Sequence, residues 1–165
     1  MTISMERLLK HMSWANQRTI EHLMTLPSEA LQAFATNAEW KVSEIIRHIV
    51  ESGNFYVYRM TGNFPAEKFP EDFQPSSHED LKLLSNKAKS VDAALLACEP
   101  LDDIQLEFKN YAGHQVKRWR STILSQSVHH ATEHRAQIAS ALEAKGFVPV
   151  DLDELDLWSF ESANG

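Results

Sequence analysis

Apolar residues recur every three to four positions in four long stretches of the chain, which is the spacing of helices with one buried face. The stretches cover residues 3–26, 41–61, 77–98 and 121–145. Neither proline nor glycine interrupts the last of them, so it predicts one helix of about six to seven turns. Four amphipathic helices in one chain favour an all-α four-helix bundle.

Residues with known capping preferences mark the ends of these stretches. Ser121 is expected to cap the last helix, and Gly146 is expected to stop it in the left-handed conformation. Ser77 is expected to cap the third helix with Asp80 as its partner, and Pro27 ends the first.

The segment between the second and third helices carries three prolines in residues 62–76 and therefore cannot be helical. Fifteen extended residues can span about 45 Å, which is enough to return the chain to the same end of a bundle. This length permits the second and third helices to run parallel. Phe64, Phe69 and Phe73 are expected to hold the loop against the helices.

Two further segments do not follow the helical pattern. Apolar and polar residues alternate on one side of a turn in residues 103–118, which predicts a short β-hairpin or extended insertion before the last helix. Residues 147–165 form an acidic tail, which we expect to make a short turn that docks Trp158 and Phe160.

The candidate chemistry lies in three histidines. His130 and His134 are four residues apart on the last helix and are expected to point the same way, towards the protein interior, whereas His129 points away. His48 lies at the polar edge of the second helix. An HxxxH pair alone fits either a shared metal ion or two hydrogen-bonded histidines at a helix border. Ala131 stands where a zincin protease carries glutamate, which disfavours that class.

If the second and fourth helices pack together, His48, His130 and His134 form a three-histidine set. Neutral imidazoles suit Zn, Ni, Cu or Fe(II), and three protein ligands leave coordination positions open. Glu51 and Glu133 are the carboxylates that we expect first as a base or as groups that orient a ligand, although exposed surface carboxylates are the commoner outcome.

Length, charge and cysteine content narrow the function classes. The 165 residues fit a single domain over 1–165, and a net charge of −7 disfavours nucleic acid as a partner. Cys98 is the only cysteine, so an intramolecular disulfide is excluded. The sequence has no apolar run of membrane-spanning length and no signal-peptide pattern, so we expect a cytoplasmic protein with no membrane partner.

Four segments together resemble one known family, the DinB (DNA-damage-inducible, DinB/YfiT-like) family of metal-dependent enzymes. They are Trp14-Ala15-Asn16, Val42-Ser43-Glu44-Ile45-Ile46-Arg47-His48-Ile49, His130-Ala131-Thr132-Glu133-His134-Arg135-Ala136-Gln137-Ile138 and Asp156-Leu157-Trp158-Ser159-Phe160. The resemblance implies an up-down-down-up four-helix bundle and frequent homodimerisation. It also implies a divalent metal site at His48, His130 and His134.

The same resemblance suggests an activity. It implies a hydrolase or a thiol-dependent S-transferase that acts on a small molecule, such as a low-molecular-weight thiol, through a water or thiolate activated by Zn or Ni. The alternative is a non-catalytic metal-binding or stress-response dimer. Many members carry another histidine where this chain has Gln126. Arg135 falls towards the apolar side of its helix, and we expect a carboxylate as its partner.

Overall fold

The computed structural model describes residues 4–164, which form five α-helices and one two-stranded hairpin. The elements are α1 (Glu6–Thr25), α2 (Val42–Thr61), α3 (His78–Ala97), β1 (Gln105–Lys109), β2 (Gln115–Trp119), α4 (Arg120–Ala144) and α5 (Leu157–Asn164). Short 3-10 turns occupy Ser28–Gln32 and Asp153–Leu155. The four predicted long helices and the hairpin are confirmed, whereas α5 replaces the short turn expected in the tail.

The long helices surround one hydrophobic core. Helix α1 packs against α3 and α2 packs against α4, and further contacts join α2 to α3 and α1 to α4. Each helix buries the apolar face that its sequence spacing defines. The core includes Leu9, Leu23, Ile46, Leu84, Leu95, Ile138 and Leu142. The packing of α2 on α4 brings together the two helices that carry the three candidate histidines.

The helix ends agree with the sequence at three of four places, and one of them is the end of α1 at Thr25, just before Pro27. Ser77 Oγ accepts a hydrogen bond from the Asp80 backbone N–H at 3.2 Å. In return, Asp80 Oδ2 accepts one from the Ser77 backbone N–H at 3.1 Å. Gly146 has φ of +77°. The expected cap at Ser121 is wrong because α4 begins one residue earlier. The N–H and hydroxyl of Ser121 instead donate to the carboxylate of Asp103, at 2.9 and 2.8 Å.

The hairpin is antiparallel, with Gln105 opposite Trp119 and Lys109 opposite Gln115. Its turn is closed by Asn110, whose side-chain oxygen accepts the backbone N–H groups of residues 112 and 114. Gly113 has φ of +79°, a conformation that side chains with a Cβ rarely adopt. Strand β1 contacts α2, and at the hairpin tip the Tyr111 ring lies 5.1 Å from the guanidinium carbon of Arg59, near the C-terminal end of that helix.

Aromatic contacts and hydrogen bonds hold the long loop and the tail, among them two hydrogen bonds between the Asn54 side chain and the backbone of Ala66. Phe69 stacks on Phe73, and Phe64 stacks on Tyr58, each at a centroid distance of 4.3 Å. In the tail, Phe160 lies 5.6 Å from Trp14, but Trp158 is 79% exposed. The expectation that both tail aromatics dock is wrong, since residues two apart on a helix point about 200° away from each other.

Within residues 4–164, no helix has both the length and the apolar character that crossing a bilayer requires.

Candidate metal centre

Three imidazoles from two helices converge at the interface between α2 and α4. His130 Nε2 lies 3.0 Å from His48 Nε2 and 3.0 Å from His134 Nε2. The ring centroids of His48 lie 4.8 Å from those of both other histidines. Residues 82 positions apart in the chain therefore meet, as the sequence interpretation required.

The separations fit a shared cation. Two nitrogens that each lie about 2.0–2.1 Å from one ion are about 3.0–3.4 Å apart for common coordination angles. One potential ligand atom from each histidine falls within 4.8 Å of the others, and the group could hold a metal ion. Without a cation, facing ring nitrogens need a proton between them, because two lone pairs pointed at each other repel.

The electrostatic environment keeps two of these rings neutral. Burial, followed by the nearby His134, lowers the pKa of His48 to about 4. Burial is also the main reason that the pKa of His130 falls to about 4, with smaller contributions from His134 and His48. Neutral imidazole is the form that binds metals, so both rings are in the required state at neutral pH.

The third ring is oriented by a residue that the sequence interpretation did not assign to the site. Gln137 Oε1 lies 2.8 Å from Trp40 Nε1 and 2.8 Å from His134 Nδ1. An indole nitrogen can only donate, so the amide must present its oxygen there. His134 Nδ1 must then also donate, which leaves the lone pair of the neutral ring on Nε2, the atom that faces His130.

Two aromatic residues border the cluster. The Trp40 ring lies edge-on to His48 and His134, with centroid distances of 5.3 and 5.6 Å. The Tyr56 ring centroid lies 5.8 Å from that of His130, and burial is the main reason that the pKa of Tyr56 is raised. Gln126, at the position where many family members carry histidine, lies beside the Tyr56 side chain. The sequence had placed Tyr56 only in the core.

Some of these neighbours could have been found from spacing. Gln137 follows His134 by three residues and Tyr56 follows His48 by eight, and both separations keep two side chains on one helix face. Trp40 precedes α2 and has no helical register. Its position depends on how the chain enters the helix, which the sequence pattern does not define.

The two candidate carboxylates lie in different surroundings. Glu51 Oε1 accepts the Phe69 backbone N–H at 3.1 Å and Lys87 Nζ at 3.3 Å, so it fastens the long loop to α2 and α3. Glu133 is exposed on α4. Among residues 4–164, neither carboxylate is hydrogen-bonded to one of the three imidazoles. Their roles as base or orienting group stay predictions.

Behind the site, Arg135 belongs to a buried polar network. Its guanidinium donates to Asn16 Oδ1 at 2.8 Å and to Thr132 Oγ1 at 3.0 Å. Asn16 Nδ2 in turn donates to Asp92 Oδ2 at 3.2 Å. Arg135 therefore does not pair directly with the expected carboxylate; the Asn16 amide bridges Arg135 to Asp92. Burial raises the pKa of Asp92 to about 6 and lowers that of Arg135 to about 10.

Comparison with known proteins gives one clear result. A search among curated proteins finds no match for this chain. The sequence profile described as "DinB family" matches residues 1–163, which is nearly the whole chain. Together with the three-histidine cluster, this match confirms the family that the sequence motifs suggested. The chain belongs to the DinB family.

Proposed function

We propose that the chain is a divalent-metal-dependent enzyme, either a hydrolase or a thiol-dependent S-transferase. The observation that carries the proposal is the convergence of three imidazole Nε2 atoms at 3.0 Å separations. His48, His130 and His134 would hold the cation, with Zn or Ni as the ions that suit neutral imidazoles best here. A bound cation would lower the pKa of a coordinated water or thiol and so provide a nucleophile near neutral pH.

The surrounding residues would contribute binding and orientation. The Gln137 amide would keep His134 in the tautomer whose Nε2 is free to bind. Trp40 would shield two of the rings from water on its side of the cluster. Glu133, adjacent to His134 and exposed, and Glu51 on α2 are the candidate proton acceptors for a reacting group.

The fold part of the proposal is an up-down-down-up four-helix bundle formed by α1 to α4 as one domain. The packing of α1 on α3 and of α2 on α4, with the two cross contacts, supports it. Homodimerisation and a cytoplasmic location stay predictions.

Metal binding is the first test. Wild-type protein titrated with Zn²⁺ or Ni²⁺ against a chromogenic chelator should take up about one ion per chain. His48→Ala, His130→Ala and His134→Ala should each weaken binding by at least tenfold. His129→Ala is the matched control, since His129 is exposed on the same helix and should leave the affinity unchanged. Equal affinity in all four variants would refute the site.

Activity separates the two reaction classes. Single-turnover assays on metal-loaded protein would compare a low-molecular-weight thiol plus an electrophile with a panel of esters and amides. Turnover that disappears in the three histidine variants supports the enzyme. Stoichiometric metal binding with no turnover in either panel would instead support the non-catalytic metal-binding alternative.

A further inference from the structure

A cavity lies between the C-terminal part of α2 and the hairpin. Its volume is about 600 Å³, within the size range of small-molecule pockets. Phe55, Tyr58 and Arg59 line it from the helix, and Phe108 and Tyr111 line it from the hairpin. We refer to these five residues as the hairpin pocket. Nothing in the metal-centre chemistry accounts for them.

Arg59 is held in this pocket by aromatic rings. Its guanidinium carbon lies 4.9 Å from the centroid of Phe108, 5.1 Å from Tyr111 and 5.9 Å from Tyr56. A guanidinium that stacks on rings keeps its N–H donors free at its edge. Across residues 4–164, no hydrogen bond or ion pair joins the Arg59 side chain to another residue. Its donors therefore lack a protein acceptor.

The local charge favours an anion. Glu107, the acidic residue of the pocket wall, is already paired with Lys117 at 2.6 Å. Lys109 adds a second cation to the wall. This excess of positive charge is unusual in a chain whose net charge is −7. An acidic ligand would therefore be attracted to this part of the surface.

The shape of the pocket narrows the ligand further. A carboxylate matches the guanidinium fork with two parallel hydrogen bonds, and the aromatic walls suit an apolar or aromatic body. We propose that the hairpin pocket binds an organic carboxylate through Arg59, with Phe108 and Tyr111 holding the guanidinium and enclosing the ligand.

The buried Tyr56 side chain lies near both Arg59 of the pocket and His130 of the candidate metal centre. The Tyr56 ring lies 5.9 Å from the Arg59 guanidinium carbon and 5.8 Å from the His130 ring. To reach the imidazoles, a substrate anchored at Arg59 would have to pass the Tyr56 ring. This link rests on the proposed function, and it identifies the substrate as a molecule with a carboxylate remote from its reacting group. Carboxylate binding itself does not depend on the metal.

Calorimetric titration with 2-naphthoate tests the proposal. Wild-type protein should bind the probe, and the neutral isostere 2-naphthylmethanol and inorganic phosphate should each bind at least tenfold more weakly. Arg59→Gln should weaken naphthoate binding at least tenfold. Arg59→Lys keeps the charge without the fork and should weaken it several-fold. Tyr111→Ala, at a residue that is 82% exposed, should also weaken it several-fold without affecting folding.

Two controls separate this inference from the proposed function. Arg118→Gln removes an exposed arginine from the same hairpin and should leave binding unchanged. His130→Ala should lose metal binding and keep naphthoate binding. Unchanged affinity in Arg59→Gln and Arg59→Lys would overturn the carboxylate pocket, as would equal binding of the alcohol or of phosphate. Loss of naphthoate binding in His130→Ala would also overturn it, by placing the probe at the imidazoles.

Discussion

Asn16→Ala removes the amide that stands between two buried charged groups. Asn16 accepts a hydrogen bond from Arg135 and donates one to Asp92. The three residues are 4%, 3% and 5% exposed and come from α1, α4 and α3. Alanine would leave the guanidinium without one of its acceptors and the carboxylate without its amide donor, in a place that water reaches poorly.

The size of the effect follows from these two bonds. A hydrogen bond to a charged group contributes about 1.5–3 kcal/mol, so losing two costs about 3–6 kcal/mol. Alanine regains about 0.5 kcal/mol because it favours helix more than asparagine does. Protonation of Asp92 limits the cost at its end. We therefore expect the free energy of unfolding to fall by about 3–4 kcal/mol, a large part of the ~5–15 kcal/mol typical of a domain.

Urea unfolding followed by circular dichroism measures this loss, and the neighbouring glutamine gives a matched control. Gln17 also bridges α1 to α3 with two hydrogen bonds, but its partner is the neutral Ser85 and the contact is only partly buried. Gln17→Ala should cost about 1 kcal/mol. If Asn16→Ala costs no more than Gln17→Ala, burial of the charged groups does not make the Asn16 amide important, and the reasoning fails.

Three further predictions concern other parts of the molecule. Gln137→Leu should weaken divalent-metal affinity by about 10- to 100-fold, because His134 loses the acceptor that fixes its tautomer. Competition with a chelator measures the affinity, and an unchanged value would contradict this role of Gln137. The raised pKa of Asp92 means that its carboxyl binds a proton more tightly in the folded chain. Wild type should therefore gain up to about 3 kcal/mol relative to Asp92→Asn as the pH falls from about 6 to about 3.8, and urea titrations that show a pH-independent difference would refute this. At Gly53, an added Cβ would lie 2.7 Å from Val91 Cγ1, so Gly53→Ala should destabilise the fold by about 1–2 kcal/mol in thermal unfolding; Val91→Ala in the same chain should recover part of the loss, and additive losses would contradict a steric cause.

Patterns of neighbouring residues predicted the long helices and most of their ends. The spacing of apolar residues defined the four long helices, and the Ser77 capping box and the Gly146 stop depend on residues next to the helix ends. Ser121 is not the cap because α4 already begins at Arg120, and the N–H and hydroxyl of Ser121 donate to the carboxylate of Asp103, eighteen residues earlier. The contact between Ser121 and Asp103 depends on the tertiary structure, so the residues around the helix start do not predict it.

The same distinction applies to the metal centre. His130 and His134 share a helix face by geometry alone, whereas adding His48 required the assumption that α2 packs on α4. Trp40 lies outside both helices and was missed. The importance of Arg59 also depends on a non-local contact, because the hairpin must fold back on α2 before Phe108 and Tyr111 reach the guanidinium.

Through its hydrogen bond to Gln137, Trp40 fixes which nitrogen of His134 carries the proton. A benzene ring at position 40 would cover the histidines almost as well, but it would not require an oxygen from the amide. Gln137 could then turn over and offer its NH₂ group to His134, and the ring proton would move to the nitrogen that faces the other imidazoles. The tautomer of His134 is thus set by Trp40, a residue outside the three candidate ligands, so a change at position 40 would alter the nitrogen that His134 offers while all three histidines stay in place.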